Sequence, residues 1–227
     1  MIKMQTTNVD YRRPKQTDPR SVYFQYYTFK NHELNIYYDM FFSMLEHSGK
    51  KPKLLDVGCN IGNLLIHCSK DSVGMDIDKW ALKVSKKRGL NVKYHDANKS
   101  FPLPSNSFDA VNCRQNLEHL DKPIEALKEM YRVLKPGGKL VVTVQNLAYY
   151  KWYWWSNPFH KSPFTKMSLG RCVYLAGFNS YTIYDFMNGL FGMRKLYNIG
   201  AKPSTIKKIM KFASKFKPVI HVMETYK

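Results

Sequence analysis

Apolar positions change their spacing three times along the chain, and each change predicts a different kind of element. Residues 1–20 are polar, include two prolines and show no period, which predicts a loose arm. From Val22 to His47, the residues Tyr23, Tyr27, Leu34, Tyr38, Phe41, Phe42 and Leu45 recur at three- and four-residue steps. That period predicts one or two amphipathic helices, ended by Ser48-Gly49-Lys50-Lys51-Pro52.

From Lys53 short apolar runs alternate with amphipathic ones. Strands are predicted over 53–57, 72–77, 92–95, 108–113 and 139–144, with helices over 64–70, 80–88 and 123–134. The last helix is opened by Pro123 and closed by Lys135-Pro136-Gly137-Gly138. Strand and helix alternating through short connections require parallel pairing and right-handed crossovers, hence an α/β, doubly wound sheet. Beyond Asn146 an aromatic stretch runs to Thr165, followed by a helix over 165–176 closed by Gly177. A strand over 180–184, a helical insertion through Phe216 and a last strand over 218–225 complete the chain.

Composition sharpens this picture in one respect. The 227 residues are 44% hydrophobic and 23% charged, which excludes wholesale disorder. No apolar run approaches the roughly 18 residues of a spanning helix, and no secretory signal is visible. Cys59, Cys68, Cys113 and Cys172 form no CxxC pair, so a reducing, cytoplasmic setting is the default expectation. The net charge, however, is +19, and +11 of it falls within residues 147–227, which also hold 18 of the 33 aromatic residues. An ordinary middle and a basic, aromatic end suggest chemistry in the middle and an anionic partner at the end.

The candidate chemistry begins where the first strand meets a glycine turn, Leu54-Leu55-Asp56-Val57-Gly58-Cys59-Asn60-Ile61-Gly62-Asn63. Gly58 and Gly62 permit a tight turn that approaches a ligand closely and aims helix N–H groups at it. Asp76 ends the next strand 20 residues after Asp56, where a doubly wound nucleotide fold puts the carboxylate that accepts ribose hydroxyls. A dinucleotide needs G-x-G-x-x-G, but Gly58, Asn60 and Asn63 stand at those places. An adenosyl amino acid, which has no phosphates, fits the sequence better than NAD.

Four motifs in order now become specific: LLDVGCNIGNLL, VGMDID, YHDANKSFPLPSNSFDAV and LEHLDKPIEALKEMYRVLKPGGKLVV. Together they resemble the class I S-adenosylmethionine-dependent methyltransferases, within the broad group that includes the ubiquinone-type O-methyltransferases. The resemblance covers residues 53–146 well and 1–52 poorly. It implies a Rossmann-like seven-stranded sheet of order 3-2-1-4-5-7-6 with the last strand antiparallel. It also implies one methyltransferase domain over 1–227. Residues 1–52 would form the arm and capping helices, 53–146 the cofactor-binding core, and 147–227 the basic, aromatic substrate side. On the same footing, Asp56, Gly58 and Gly62 hold the methionine end of the cofactor, with Asn60 where the family usually has glycine. Asp76 and its neighbour Ile77 take the ribose, Asp96 and Ala97 the adenine, and Cys113 and Arg114 flank the methionine.

The loop Asn116-Leu117-Glu118-His119 resembles the E-x-x-E-H loop of those O-methyltransferases and of small-RNA 2′-O-methyltransferases, which binds a divalent metal with a later histidine. The resemblance implies Mg, Mn or Zn on Glu118, His119 and His160, weakened by Gln115 in place of the first glutamate. His119 acting alone as a general base, and a purely structural loop, are the competing readings. His95 reads as a core or strand-edge residue and the cysteines as small hydrophobes, with Cys113 as a methyl-accepting thiol the remote alternative.

At the basic end, Tyr149-Tyr150-Lys151-Trp152-Tyr153-Trp154-Trp155 would wall a substrate site or sit at a bilayer interface. Over 202–217, Ile206, Ile209, Met210, Ala213 and Phe216 form an apolar stripe opposite Lys207, Lys208, Lys211 and Lys215. An ordinary sheet-packing helix, a peripheral membrane contact and a nucleic-acid contact all suit that pattern. The expected activity is methyl transfer to an oxygen of a small-molecule, sugar or lipid-linked acceptor. The alternatives are an RNA 2′-hydroxyl, or an inactive methyltransferase fold that serves as a binding protein.

Overall fold

The computed structural model describes Leu45 and residues 51–186, 200–215 and 218–227. Most of the predicted N-terminal helices and part of the predicted insertion before Phe216 lie outside the described residues, although Leu45 is helical and fully buried. Seven strands form one sheet: β1 (Leu54–Val57), β2 (Val73–Asp76), β3 (Val92–Tyr94), β4 (Phe108–Arg114), β5 (Leu134–Gln145), β6 (Tyr181–Phe186) and β7 (Ile220–Tyr226). Their order is β3-β2-β1-β4-β5-β7-β6. The first five strands pair in parallel, and β7 runs antiparallel between β5 and β6. The helices are α1 (Lys79–Lys87), α2 (Pro123–Val133), α3 (Leu147–Tyr150), α4 (Lys166–Leu175) and α5 (Pro203–Ala213).

Alternation along each strand divides the apolar residues between two faces. Leu55, Val57, Val111 and Val142 point to one face and meet Leu127 and Met130 of α2 and Leu169 and Val173 of α4. Leu54, Ala110, Val141 and Val222 point to the other, with Leu65, Leu82 of α1, and Ile206 and Met210 of α5. The basic helix therefore uses part of its apolar stripe on the protein's own sheet. Ile209 and Phe212 stay exposed, as do Lys208, Lys211 and Lys215.

Three local expectations are corrected. The helix predicted over 64–70 is a single 3-10 turn, Leu65–His67. Ser69 N–H donates to the Pro52 carbonyl at 3.2 Å and Ser72 N–H to Ser69 O at 3.1 Å, which turns the chain back toward β2. The glycines after α2 do not form a loop, because β5 begins at Leu134. Gly137 N–H donates to the Lys227 carbonyl, and Lys227 N–H to Gly138 O, so the end of the chain holds this segment in the sheet. The aromatic stretch has its own structure: Asn146 caps α3, and a 3-10 helix, Lys151–Ser156, follows.

In that 3-10 helix Trp154 is fully buried, while its neighbours Trp152, Tyr153 and Trp155 are exposed. The Trp154 ring lies 4.7 Å from that of His160 and 4.6 Å from that of Trp155. Trp154→Ala should lower unfolding free energy by about 3–5 kcal/mol, the cost of emptying a large aromatic site. A urea midpoint left at the wild-type value would show that Trp154 anchors nothing.

Candidate functional site

The parallel strands end at one edge of the sheet, and the expected site residues collect there. The turn after β1 reverses through three left-handed residues: Gly58 at φ 76°, Asn60 at φ 49° and Gly62 at φ 74°. Asparagine is among the few side chains that tolerate this region, so Asn60 keeps the turn where the family usually has glycine. A Cβ on Gly58 would fall 2.7 Å from Asn116 Cγ, so the turn lies directly against the loop after β4. Ile61 packs on Ala81 and Val84 of α1, and Arg88 Nη1 donates to Ile61 O and, at 2.7 Å, to Asn63 Oδ1.

The amides of this turn do not face a ligand. Gly58 and Cys59 N–H both donate to Met75 O, at 2.8 and 3.0 Å, and Gly62 N–H donates to Cys59 O at 2.9 Å. Asn60 N–H donates to Asp76 Oδ2 at 2.7 Å, and Ile61 N–H to Asn60 Oδ1 at 2.7 Å. Five consecutive N–H groups of the turn itself are thus consumed within the protein. These five are not available to cradle a phosphate. Asp76, at the end of β2, also accepts from Asp78 N–H through Oδ1 at 2.9 Å. Each Asp76 oxygen takes one backbone donor and retains acceptor capacity, a donor set suited to a vicinal diol. Burial raises the Asp76 pKa, and the amides of Asp78 and Asn60 oppose that shift.

Asp56 is buried beside this turn and accepts from Asn112 Nδ2 of β4 at 2.7 Å. Burial brings its pKa up to about 6, against the lowering effects of the Asn112 hydrogen bond and the Arg114 charge. Ile77 is exposed and Ala97 buried. Asp96 accepts from Asn98 N–H and Nδ2, both at 3.0 Å, and these bonds hold its pKa below the usual value. Asn98 Oδ1 in turn accepts from the amides of Asp121 and Lys122, joining the loop after β3 to the loop after β4. The Cys113 thiol is fully buried and its pKa raised, so no nucleophilic thiolate forms there.

The loop after β4 is clamped by the chain that follows the aromatic segment. Lys161 and Ser162 N–H donate to Glu118 O at 2.8 and 3.0 Å, and Lys161 Nζ meets the Asp121 carboxylate at 2.7 Å. His119 and His160 are brought together, with ring centroids 5.0 Å apart. His119 Nδ1 donates to Phe159 O at 3.0 Å, and burial depresses its pKa, an effect the Phe159 carbonyl opposes. His160 Nδ1 donates to Trp154 O at 2.9 Å, which leaves Nε2 as its acceptor. Asn157 Nδ2 occupies that nitrogen at 3.0 Å, with the amide orientation set by Asn157 Oδ1 accepting from Phe159 N–H.

These residues do not fit the expected divalent metal. The one lone pair of His160 is already used, and no group of three His, Cys, Asp or Glu side chains converges among the described residues. Gln115, the proposed substitute ligand, turns its Nε2 toward Thr143 Oγ1 at 3.4 Å. Glu118 is buried, and neither carboxyl oxygen has a hydrogen-bond partner; the nearby amides of Glu118 and Gln145 fall short of bonding geometry. Burial drives its pKa up to about 8, so the group is mostly a neutral acid at pH 7.

Sequence reasoning missed Asn112, Asn116 and Asn157, which position Asp56, the glycine turn and His160. Only Asn112 carried a signal, as an amide within the otherwise apolar run Ala110-Val111-Asn112-Cys113.

With this geometry in view, relatives can be compared. The family described as a methyltransferase domain matches residues 55–142. A demethylmenaquinone methyltransferase of Renibacterium salmoninarum is 39% identical over 95 residues, 40% of either chain. The ubiquinone/menaquinone biosynthesis C-methyltransferase UbiE of Shewanella oneidensis is 37% identical over 113 residues, 43% of this chain and 45% of that protein. The chain thus spans about two fifths of the length of these curated relatives. The crystal structure of an S-adenosylmethionine-dependent methyltransferase from Archaeoglobus fulgidus superposes over 92% of this chain and 100% of its own, with TM-score 0.68 at 20% identity. The architecture is therefore that of the class I S-adenosylmethionine-dependent methyltransferases. Residues 55–142 are the part of the chain that matches the methyltransferase-domain family.

The state of Glu118 makes stability depend on pH. The folded protein holds this proton up to about pH 8, whereas the unfolded chain releases it near 4.5. The contribution is fully present below pH 4.5 and is lost as pH rises through 8. Glu118→Gln, which cannot ionise, should be more stable than wild type above pH 8, by roughly a few kcal/mol at most, with the gain vanishing at acidic pH. Urea titrations across that range showing parallel curves for the two proteins would contradict this assignment.

Proposed function

We propose that the chain is an enzyme that transfers the methyl group of S-adenosylmethionine to a small or lipid-linked acceptor, with a hydroxyl oxygen as the accepting atom. One observation carries the cofactor assignment: the five amides of the glycine turn are spent internally while Asp76 keeps acceptor capacity. That arrangement suits a ribose without phosphates. Asp76 would hold the ribose hydroxyls, Asp96 and Ala97 the adenine side, and Asp56 and the Gly58–Gly62 turn the amino-acid end. Cys113 and Arg114 close the methionine side. In one domain, residues 53–146 would then form the cofactor core and 147–227 the acceptor side.

The cofactor supplies a methyl group on a sulfonium, which is already a strong electrophile. The protein's own contribution is alignment of the acceptor and removal of its proton. His119 is the proposed base. Its Nδ1–H is fixed on Phe159 O, which leaves Nε2 as the basic nitrogen of the neutral ring. Burial favours that neutral form, so the ring remains a base below its ordinary value of 6.5. Removing a proton from a phenolic acceptor exposes an anion that reacts at oxygen or at a ring carbon. Carbon is the second reading, favoured by relatives named for C-methylation in quinone biosynthesis.

Asp76→Ala should weaken binding of S-adenosylmethionine by about 1.5–3 kcal/mol, as for a charge-assisted hydrogen bond. Calorimetry showing unchanged affinity, or tighter binding of NAD, would refute the cofactor assignment. The acid limb of the pH–rate profile should fall below pH 6.5 and disappear in His119→Gln. A limb that survives the substitution would exclude His119 as the base. Incubation of the enzyme and methyl-labelled cofactor with a lipid and metabolite extract and with total RNA decides the acceptor. Label in the extract supports the proposal. Label confined to RNA would favour the 2′-hydroxyl reading, and no turnover with either would favour a binding protein.

A further inference from the structure

The aromatic segment after β5 holds side chains that neither the core nor the methyl-transfer residues require. Trp152 is 87% exposed, Tyr153 80% and Trp155 57%, with Phe159 and Tyr149 also on the surface. They are not the loose end of a floppy loop. Trp154 is buried among them, and its carbonyl takes the Nδ1–H of His160, so the 3-10 helix holds its neighbours outward around a fixed anchor. Leu147, Lys151, Trp152 and Trp155 line an open groove of about 330 Å³, apolar apart from the lysine.

Along the sequence the segment carries charge of one sign. Lys161, however, pairs with Asp121 and Lys166 with Asp185, each at 2.7 Å, so Lys151 is the cation that the proposal uses. From Leu147 to Tyr184 the chain holds Lys151, Lys161, Lys166 and Arg171 and no Asp or Glu, within a protein of net charge +19. Exposed Trp and Tyr beside lysine, with no carboxylate in the segment, is the chemistry of the interface between headgroups and acyl chains. Indole and phenol bury an apolar body there and leave a polar tip among the headgroups, while lysine meets lipid phosphates. Ile206 and Met210 of α5 are committed to the sheet, so that helix offers only Ile209 and Phe212 as exposed apolar side chains, fewer than the aromatic segment does.

We propose that the aromatic segment from Tyr149 to Phe159 docks on an anionic lipid bilayer, with Trp152 and Tyr153 at the headgroup–acyl boundary and Lys151 among the headgroups. The docking goes beyond methyl transfer and needs neither cofactor nor acceptor, so it is measured separately from them.

Flotation of the full chain with vesicles of phosphatidylcholine, with or without phosphatidylglycerol, tests the proposal. Wild type should float with the anionic vesicles, and added salt should weaken but not abolish the binding. Trp152→Ala with Tyr153→Ala should reduce the partition about tenfold or more. Its melting temperature and its affinity for S-adenosylmethionine should not change, because both side chains are exposed. Lys151→Glu should weaken binding to the anionic vesicles only. Absence of flotation at low salt, or equal partition of the double variant, would overturn the proposal. So would loss of self-association or RNA binding in the double variant while vesicle binding persists.

Discussion

A backbone hydrogen-bond inventory that closes on itself governs the site. The reversal after β1 requires left-handed residues at positions 58, 60 and 62, and buried amides there need partners. Met75 O, Asp76, Asn60 Oδ1 and Cys59 O supply them. The glycine turn is thereby bonded to the end of β2, and the carboxylate that would receive the ribose is held by the same turn. A nucleotide fold that binds phosphates leaves such amides free. Here the ligand chemistry is narrowed before any ligand arrives.

A second constraint links the middle of the chain to its basic end. The loop after β4 carries Glu118 and His119, and its conformation rests on Lys161, Ser162 and Phe159, about forty residues further on. Those residues are in turn positioned by Trp154 through His160. The acceptor side and the proposed base are thus one packed unit. The lone pair that His160 gives to Asn157 is part of that packing, and this use conflicts with metal ligation. Glu118 lies inside the unit with neither carboxyl oxygen hydrogen-bonded, and its burial ties the loop to alkaline pH.

Much of this was legible in the sequence, for local reasons. Short apolar runs between amphipathic helices specified the parallel strands, and the spacing of Gly58, Gly62 and Asp76 specified their ligand edge. What escaped depends on contacts between distant residues. The early start of β5 at Leu134 depends on its pairing with Phe108 of β4 and on Lys227 bonding Gly137 and Gly138. The amides of the turn point inward because Met75 and Asp76 lie on the neighbouring strand, a contact that spacing does not reveal. Glu118 and His119 matched a metal motif residue by residue. The third ligand failed because the proton on His160 is placed by Trp154, a contact with no signature in the motif. The aromatic run read only as a wall, since its single buried member cannot be told from its exposed neighbours by period.

The closed turn is tested most directly by a crystal structure of the protein with S-adenosylhomocysteine. Both ribose hydroxyls should lie on Asp76, with the Asn60 N–H to Asp76 bond and the two bonds to Met75 O unchanged from this structure. A ribose bound away from Asp76, or any of the five amides swung outward to hold the ligand, would contradict that view of the site.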